Sequence, residues 1–316
     1  MSEITIFTAP KPFTDIHIAT IQRNAIQSWI QLGSDVQVIL IGEEDGIADT
    51  AAELGVLHLP DVGRNAQGTP LVSSIFSLAR EASHGPFLAY LNADILLFSD
   101  FVPAIRQVGK LAKYFLVVGQ RWDLDVTAPI DFTPGWEPQL YKECQQSGKL
   151  HPRQGSDYFV YPRECFTTIP DFAIGRAGWD NWMIYAARRQ GWPLIDATPS
   201  IRIIHQNHDY RHLPNGQPHY RLPETGENIR LAGGQMITRF TLIDCNRTLK
   251  EGELQSLPFN WRKFWREVEI FPLVRLGSRT LGWLGYALFH PSRAYWQVRV
   301  WFSRNILKHP VSQTKV

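Results

Sequence analysis

Over roughly the first 120 residues, short apolar runs rich in β-branched and aromatic residues alternate with longer stretches in which apolar positions recur every three or four residues. That alternation predicts a parallel sheet joined by crossover helices. Residues 4–8 predict a strand. Residues 16–32 carry Ile18, Ile21, Ala25, Trp29 and Leu32 at helical spacing and stop at Gly33, as a helix with a glycine C-cap does. Strands follow at 36–41 and 56–59, separated by a short helix over 45–54. Residues 70–82 predict a helix with Pro70 in its first turn, 87–91 a buried strand, 102–111 a helix and 115–119 another strand. The pattern then loosens, with Pro, Gly, Trp and Asp crowded into 122–137. A strand at 158–161, a helix at 180–189 and strands near Leu194 and over 201–204 complete the periodic part. Residues 205–234 are polar and rich in His, Pro, Asn and Gly, and an irregular stretch of that length is functional or disordered. From residue 249 onward Trp, Phe and Leu interleave with arginine. There is no internal repeat and no low-complexity run.

The expected fold class is α/β, a mostly parallel central sheet flanked by helices, over residues 1–248. Residues 249–316 are expected to form a helical basic and aromatic appendage. With 316 residues, 44% hydrophobic and 20% charged, the chain can bury one large core or two modest ones. A net charge of +2 gives no reason to expect nucleic acid as a partner. The distribution says more. From Trp261 onward ten Lys and Arg stand against Glu267 and Glu269, so this segment carries +8 and everything before it −6. Cys144, Cys165 and Cys245 are widely spaced and form no ligand-like cluster, which points to a reducing compartment and no zinc site. The opening residues hold an acid and no basic, apolar leader, so the cytoplasm is the expected location. Arg275, Arg279, His290 and Pro291 interrupt the one stretch that approaches the ~18 apolar residues of a spanning helix.

The candidate chemistry begins where the 87–91 strand ends, in Asn92-Ala93-Asp94, at the sheet edge where open α/β folds place ligands. A carboxylate leaving a buried strand needs a partner, and a divalent cation bridging two phosphates is a natural one. Asn92 and Asp94, two apart on an extended chain, face the same side. Taken alone, a strand-end turn whose Asp caps the next segment reads the same way. The loop from Arg64 to Pro70, with Gly68 inside it, opens a helix N-terminus that can face an anion, or it is simply a polar loop. Thr8, Pro10 and Lys11 follow the first strand, where Lys11 either meets phosphate or sits in solvent. Asp180 stands at a helix start behind two glycines and between Trp179 and Trp182; a plain N-cap is the competing reading. His205 and His208 come directly off the 201–204 strand, with Asp209 and His212 nearby, and both are candidate metal ligands. Asp157 enters a strand after Gly155-Ser156, as a hydroxyl-binding acid or as a turn former.

In this setting the Asn92-Ala93-Asp94 triplet resembles the Asp-x-Asp motif of glycosyltransferases of the A fold, the nucleotide-diphospho-sugar transferases of family-2-like type, with Asn92 in place of the first Asp. The resemblance covers about residues 1–210. It implies that Asp94 ligates a divalent metal, Mn²⁺ or Mg²⁺, and that Asn92 contacts ribose. It implies that Thr8, Pro10 and Lys11 lie where the family grips base and diphosphate, and that Arg64 and Gly68 approach the nucleotide. The family's metal-binding His lies two to three dozen residues past its second carboxylate. His205 and His208 lie 25 and 28 positions past Asp180, and His205 is favoured for its place on the strand. Asp180 would be the base of an inverting enzyme, with Trp179 and Trp182 stacking on sugar faces. Asp157 would bind donor-sugar or acceptor hydroxyls.

The function so implied is transfer of a sugar from a nucleoside-diphosphate-sugar donor to a hydroxyl acceptor, whether a glycan, a lipid-linked or a small molecule. Two alternatives stand beside it. One is an inactive scaffold of the same fold at a membrane, for which Asn92 argues. The other is a sugar nucleotidyltransferase, against which the glycine-free 9–12 loop argues. Residues 261–316 read as a surface for anionic membrane on the cytoplasmic inner face, in competition with packing on protein.

Overall fold

The computed structural model describes residues 2–208 and 222–305; of the side chains after Arg299 only that of Phe302 is described. Asp209, His212, Lys308 and Lys315 lie outside the described residues. The first half runs β1 (Ile4–Thr8), α1 (Ile16–Ile30), β2 (Val36–Ile41), α2 (Ile47–Leu54), β3 (Leu57–Leu59), α3 (Val72–Ala82) and β4 (Phe87–Leu91). Then come β5 (Ile95–Leu96), α4 (Phe101–Leu111), β6 (Leu116–Val118), β7 (Trp122–Leu124), α5 (Trp136–Ser147), β8 (Lys149–Leu150) and β9 (Tyr158–Pro162). They are followed by α6 (Trp179–Arg189), β10 (Leu194–Asp196), β11 (Ile204–Gln206), α7 (Pro223–Ala232), β12 (Arg247–Lys250) and β13 (Glu253–Ser256). Three helices end the chain: α8 (Trp261–Val274), α9 (Arg279–Phe289) and α10 (Pro291–Asn305).

Nine strands form one sheet in the order β13-β12-β10-β6-β9-β4-β1-β2-β3. Its pairs are parallel except at β9, which runs antiparallel to both β4 and β6, and in the β12–β13 hairpin. The mixed α/β class with a mostly parallel sheet, flanked by helices, is therefore the observed one. Strands β1 and β9 are buried along their whole length, which is why they read as unbroken apolar runs. Helix α1 starts where Asp15 accepts a hydrogen bond from the Ile18 amide (2.9 Å) and buries Ile21, Ala25 and Trp29. Trp29, fully buried, donates its indole N–H to the Ile95 carbonyl (2.8 Å) and so fixes the chain just beyond the Asn92-Ala93-Asp94 turn.

Two local readings change. Pro70 does not open α3: the helix begins at Val72, and Pro70 pairs with Arg64 in an isolated bridge. The loop is closed by Asn65, whose Oδ1 accepts from the amides of Gln67 and Thr69 and holds it back on itself. The β12–β13 hairpin extends the sheet to residue 256, so the chain divides into Met1–Pro258 and Phe259–Val316, later than the 248/249 division read from the sequence. Among the described residues, no helix is long and apolar enough to cross a membrane.

Candidate active site and metal centre

A second, four-stranded sheet, in the order β5-β11-β7-β8, assembles the site. Its strands are two or three residues long, yet their register decides which side chains meet. His205 in β11 pairs with Ile95 of β5 on one side and with Asp123 of β7 on the other. Asp94 immediately precedes β5, and His151 immediately follows β8, whose Lys149 pairs with Asp123. Period-two alternation sends Ile204 and Leu124 to a small apolar cluster with Leu96 and Phe98, and His205 and Asp123 to the opposite face. Gln206, fully buried, anchors the arrangement by donating to the carbonyls of Ile21 (2.7 Å) and Asp94 (3.2 Å) and accepting from Asn24 Nδ2 (3.0 Å).

Asp94, His205 and His208 each offer one ligand atom, and these atoms all lie within 4.8 Å of one another. Asp94 Oδ2 stands 3.1 Å from His208 Nε2 and 4.0 Å from His205 Nε2. Lys11 Nζ lies 3.2 Å from the same His208 nitrogen. One nitrogen cannot donate to the carboxylate and accept from the ammonium at once, so either tautomer leaves one contact mismatched. Asp94 Oδ1 is buried without a hydrogen-bond partner among the described residues. An orphaned carboxylate oxygen, two imidazoles and a mismatched contact make a group that could hold a cation. The donor set fits a divalent ion such as Mn²⁺, which takes both carboxylate and imidazole.

Electrostatics bind these groups together. Burial pushes the Asp94 carboxyl upward, but His205, the contact with His208 and the Lys11 ammonium outweigh it and hold Asp94 well below the ordinary carboxylate range. Burial lowers the Lys11 ammonium, and Asp94 only partly opposes this. His205 is depressed by burial but raised on balance by Asp94 and Asp123. Its Nδ1 lies 3.2 Å from Asp123 Oδ1, so that carboxylate faces the ring nitrogen turned away from Asp94.

Asp123 is itself held by His151 Nδ1 (2.8 Å) and Arg121 Nε (2.8 Å). Against the upward push of burial, His205, His151 and Arg121 keep its carboxyl low. Arg121 reaches on to Asp157 (2.6 Å), which accepts from Asn92 Nδ2 (2.9 Å). The antiparallel register of β4 and β9, Leu91 opposite Tyr158, brings Asn92 and Asp157 side by side. An amide at position 92 can donate to Asp157 where a second carboxylate would repel it.

These residues line a cleft of about 1560 Å³ together with Asp180. Helix α6 is entered through Gly178, whose φ of +112° is a conformation glycine adopts without strain. Asp180 therefore sits inside the first turn and is not the N-cap residue; its Oδ1 accepts from the Gly178 amide (3.2 Å). Burial raises its pKa, and Asp157 adds to the rise. Tyr90, which also lines the cleft, has its hydroxyl pushed far up by burial and then by Asp94, Asp157 and Asp180, so one phenol senses all three acids.

Of the residues singled out from the sequence, Pro10, Lys11, Asn92, Asp94, Asp157, Asp180, His205 and His208 line this cleft. Thr8, Arg64 and Gly68 do not. Thr8 is fully buried within β1. Arg64 pairs with Glu44 (2.9 Å) and Glu43 (3.3 Å), just beyond β2, and its Nη1 donates to the Gly68 carbonyl (2.8 Å). Gly68 serves the turn that closes its own loop. Trp179 lines the cleft with its ring packed against Tyr90, Phe159 and Phe76, and the half-buried Trp182 packs on Phe172. Arg121, Asp123 and His151 were not singled out, although Arg121 and Asp123, two apart beside a strand, had to face one side. Arg176 lines the cleft as well, held by Glu224 (2.7 Å), which also accepts from Asn65 (2.6 Å).

No family model matches the chain, and no curated protein matches it. Solved structures do. Glucosyl-3-phosphoglycerate synthase from Mycobacterium tuberculosis, in complex with Mg²⁺ and uridine diphosphate, matches at 19% identity over 66% of this chain and 72% of that one, with a TM-score of 0.41. The same synthase with Mn²⁺, uridine diphosphate and phosphoglyceric acid matches at 18% identity over 74% of this chain and 79% of that one, with a TM-score of 0.44.

Proposed function

We propose that this protein is a metal-assisted glycosyltransferase that moves a sugar from a nucleoside-diphosphate-sugar donor to a hydroxyl acceptor. The observation that carries the reading is the convergence of Asp94, His205 and His208 beside the Lys11 ammonium, in one cleft with Asp180. A divalent ion held by Asp94, His205 and His208 would supply positive charge to a departing diphosphate. Lys11, 3.2 Å from His208 Nε2, adds a second cation that would neutralise charge developing as the leaving group separates.

Asp180 is the general base. In the transfer, the acceptor oxygen forms the new bond to the anomeric carbon while the bond from that carbon to the diphosphate breaks. The bonding pair leaves with the diphosphate, and the acceptor hydroxyl proton passes to the Asp180 carboxylate. A buried carboxyl with a raised pKa holds such a proton better than an exposed one. Asp157, braced by Arg121 and Asn92, presents an acceptor oxygen to sugar hydroxyls. A single displacement of this kind inverts the anomeric centre.

The test is release of nucleoside diphosphate from a panel of nucleoside-diphosphate sugars by the full-length protein, with Mn²⁺ and with chelator. Metal-dependent release from at least one donor is the expected result. The reading fails if no donor binds or turns over in Mn²⁺, or if Asp94→Ala turns over at the parental rate.

A further inference from the structure

Helix α8 is apolar on two faces. One stripe, Ile270, Leu273 and Val274, is buried, and Leu273 lies where a side chain at Gly282 of α9 would have to go, so these two helices pack closely. The other stripe is Trp261, Phe264, Trp265, Val268 and Phe271, spaced i, i+3, i+4, i+7 and i+10, and each of these residues is between 41% and 66% exposed. Helix α9 repeats the arrangement: Gly282 and Tyr286 are buried, whereas Leu281, Leu284 and Leu288 lie exposed along the other side. The open rings are not scattered singly. Phe259, Trp261, Phe264 and Trp265 touch in succession, and Trp265 meets Phe289 of α9 with ring centroids 6.2 Å apart. A contiguous exposed apolar surface of this kind marks an interaction site.

The charge on the same unit selects the occupant. Its only acids, Glu267 and Glu269, are engaged by Lys263 (3.0 Å) and Arg266 (3.0 Å). Arg262, Arg275, Arg279, Arg293 and Arg299 are all exposed, with no carboxylate partner among the described residues. A second copy packed patch against patch would bring its own +8 against this one and be repelled. A nucleic acid would satisfy the arginines but leave the leucine stripe of α9 in water. A bilayer with anionic headgroups satisfies both at once, since guanidinium groups meet phosphate while tryptophan and leucine enter the acyl boundary.

We propose that the helices of residues 259–305 are an interfacial docking surface for anionic phospholipid bilayers, lying on the membrane without crossing it. This surface is independent of the sugar-transfer reading, because lipid binding needs no turnover. The decisive experiment is co-flotation of the full-length protein with phosphatidylglycerol-containing and with pure phosphatidylcholine vesicles, paired with light scattering of the lipid-free protein. Binding to anionic vesicles at least about tenfold tighter than to neutral ones is expected, weakening as salt is raised. The exposed-face variant W261S/F264S/W265S should lose about tenfold or more of that binding while keeping the parental circular dichroism and melting temperature. A second variant, R275Q/R279Q/R293Q, leaves every aromatic in place and should lose the preference for anionic lipid. The proposal is overturned if the parental chain does not float with anionic vesicles or floats equally with both kinds. It is also overturned if the protein is a dimer whose dissociation by W261S/F264S/W265S accounts for the stripe, or if it prefers single-stranded nucleic acid to anionic vesicles in direct competition.

Discussion

The two sheets of the first unit solve opposite problems. The nine-stranded sheet is built from strands such as β1 and β4, apolar on both faces, and it holds together because burying them removes hydrocarbon from water. The four-stranded sheet has strands too short to bury much. One of its faces rests on Leu96, Phe98, Leu124 and Ile204, and its other face is a row of charges, with Asp94 at the head of β5, His205 in β11 and Asp123 in β7. The hydrocarbon burial is concentrated in the large sheet and the charged row in the small one, which Trp29, Asn24 and Ile21 of α1 brace through Ile95 and Gln206. Proteins can carry costly charge clusters where a rigid neighbour bears the folding load.

That contrast can be broken from either side. Asp94→Ala removes the carboxylate on which both imidazoles and Lys11 converge. It should abolish Mn²⁺ binding, read by electron paramagnetic resonance, and lower transfer on the order of 10³-fold or more, with the melting temperature close to parental. Asp180→Asn should lower turnover roughly 10²–10⁴-fold while the dissociation constant for donor stays within about threefold. An equal loss of donor affinity would remove Asp180 from its role as base. Because burial raises the Asp180 pKa, its ionised form is lost as pH falls through a value above the ordinary aspartate's. The acidic limb of the parental pH–rate profile should therefore lie higher than about 3.9.

From the other side, Leu88→Ala in β4, fully buried, should destabilise the fold by about 2–5 kcal/mol in denaturant titrations while Mn²⁺ affinity holds. Loss of metal affinity at full folding would show that the two sheets are not separable. The smallest expected effect sharpens the comparison within the site. Asp123→Asn keeps the shape but weakens the grip on His205 Nδ1, and should weaken Mn²⁺ binding about 10–100-fold with stability nearly unchanged.

The difference between the sheets also explains what the sequence disclosed. Strands at 4–8, 36–41 and 87–91 are legible because a buried strand leaves an unbroken apolar run. Asp94, His205 and His208 are legible because each sits beside such a run, at a point where polarity changes abruptly. Arg121, Asp123 and His151 escaped because β7 and β8 span three and two residues, too few for any periodicity, and their partners lie far along the chain. The antiparallel direction of β9 is invisible as well, since a residue pattern does not record which way a strand runs. Arg64 misleads for a different reason: it precedes a helix as an anion-binding arginine would, but Glu43 and Glu44, some twenty residues earlier, capture it first.

Gln206 brings the backbones of Ile21 and Asp94 and the side chain of Asn24 to one buried amide. Neither this amide nor anything it grips gains or loses a proton in water. The separation between the Asp94 and His205 backbones is thus clamped by groups indifferent to acidity, and the ligand spacing stays constant over a range in which the ligands' own charges change. Glutamate at position 206 would tie that spacing to protonation, because an ionised acid would confront two carbonyl oxygens where the amide now donates to both.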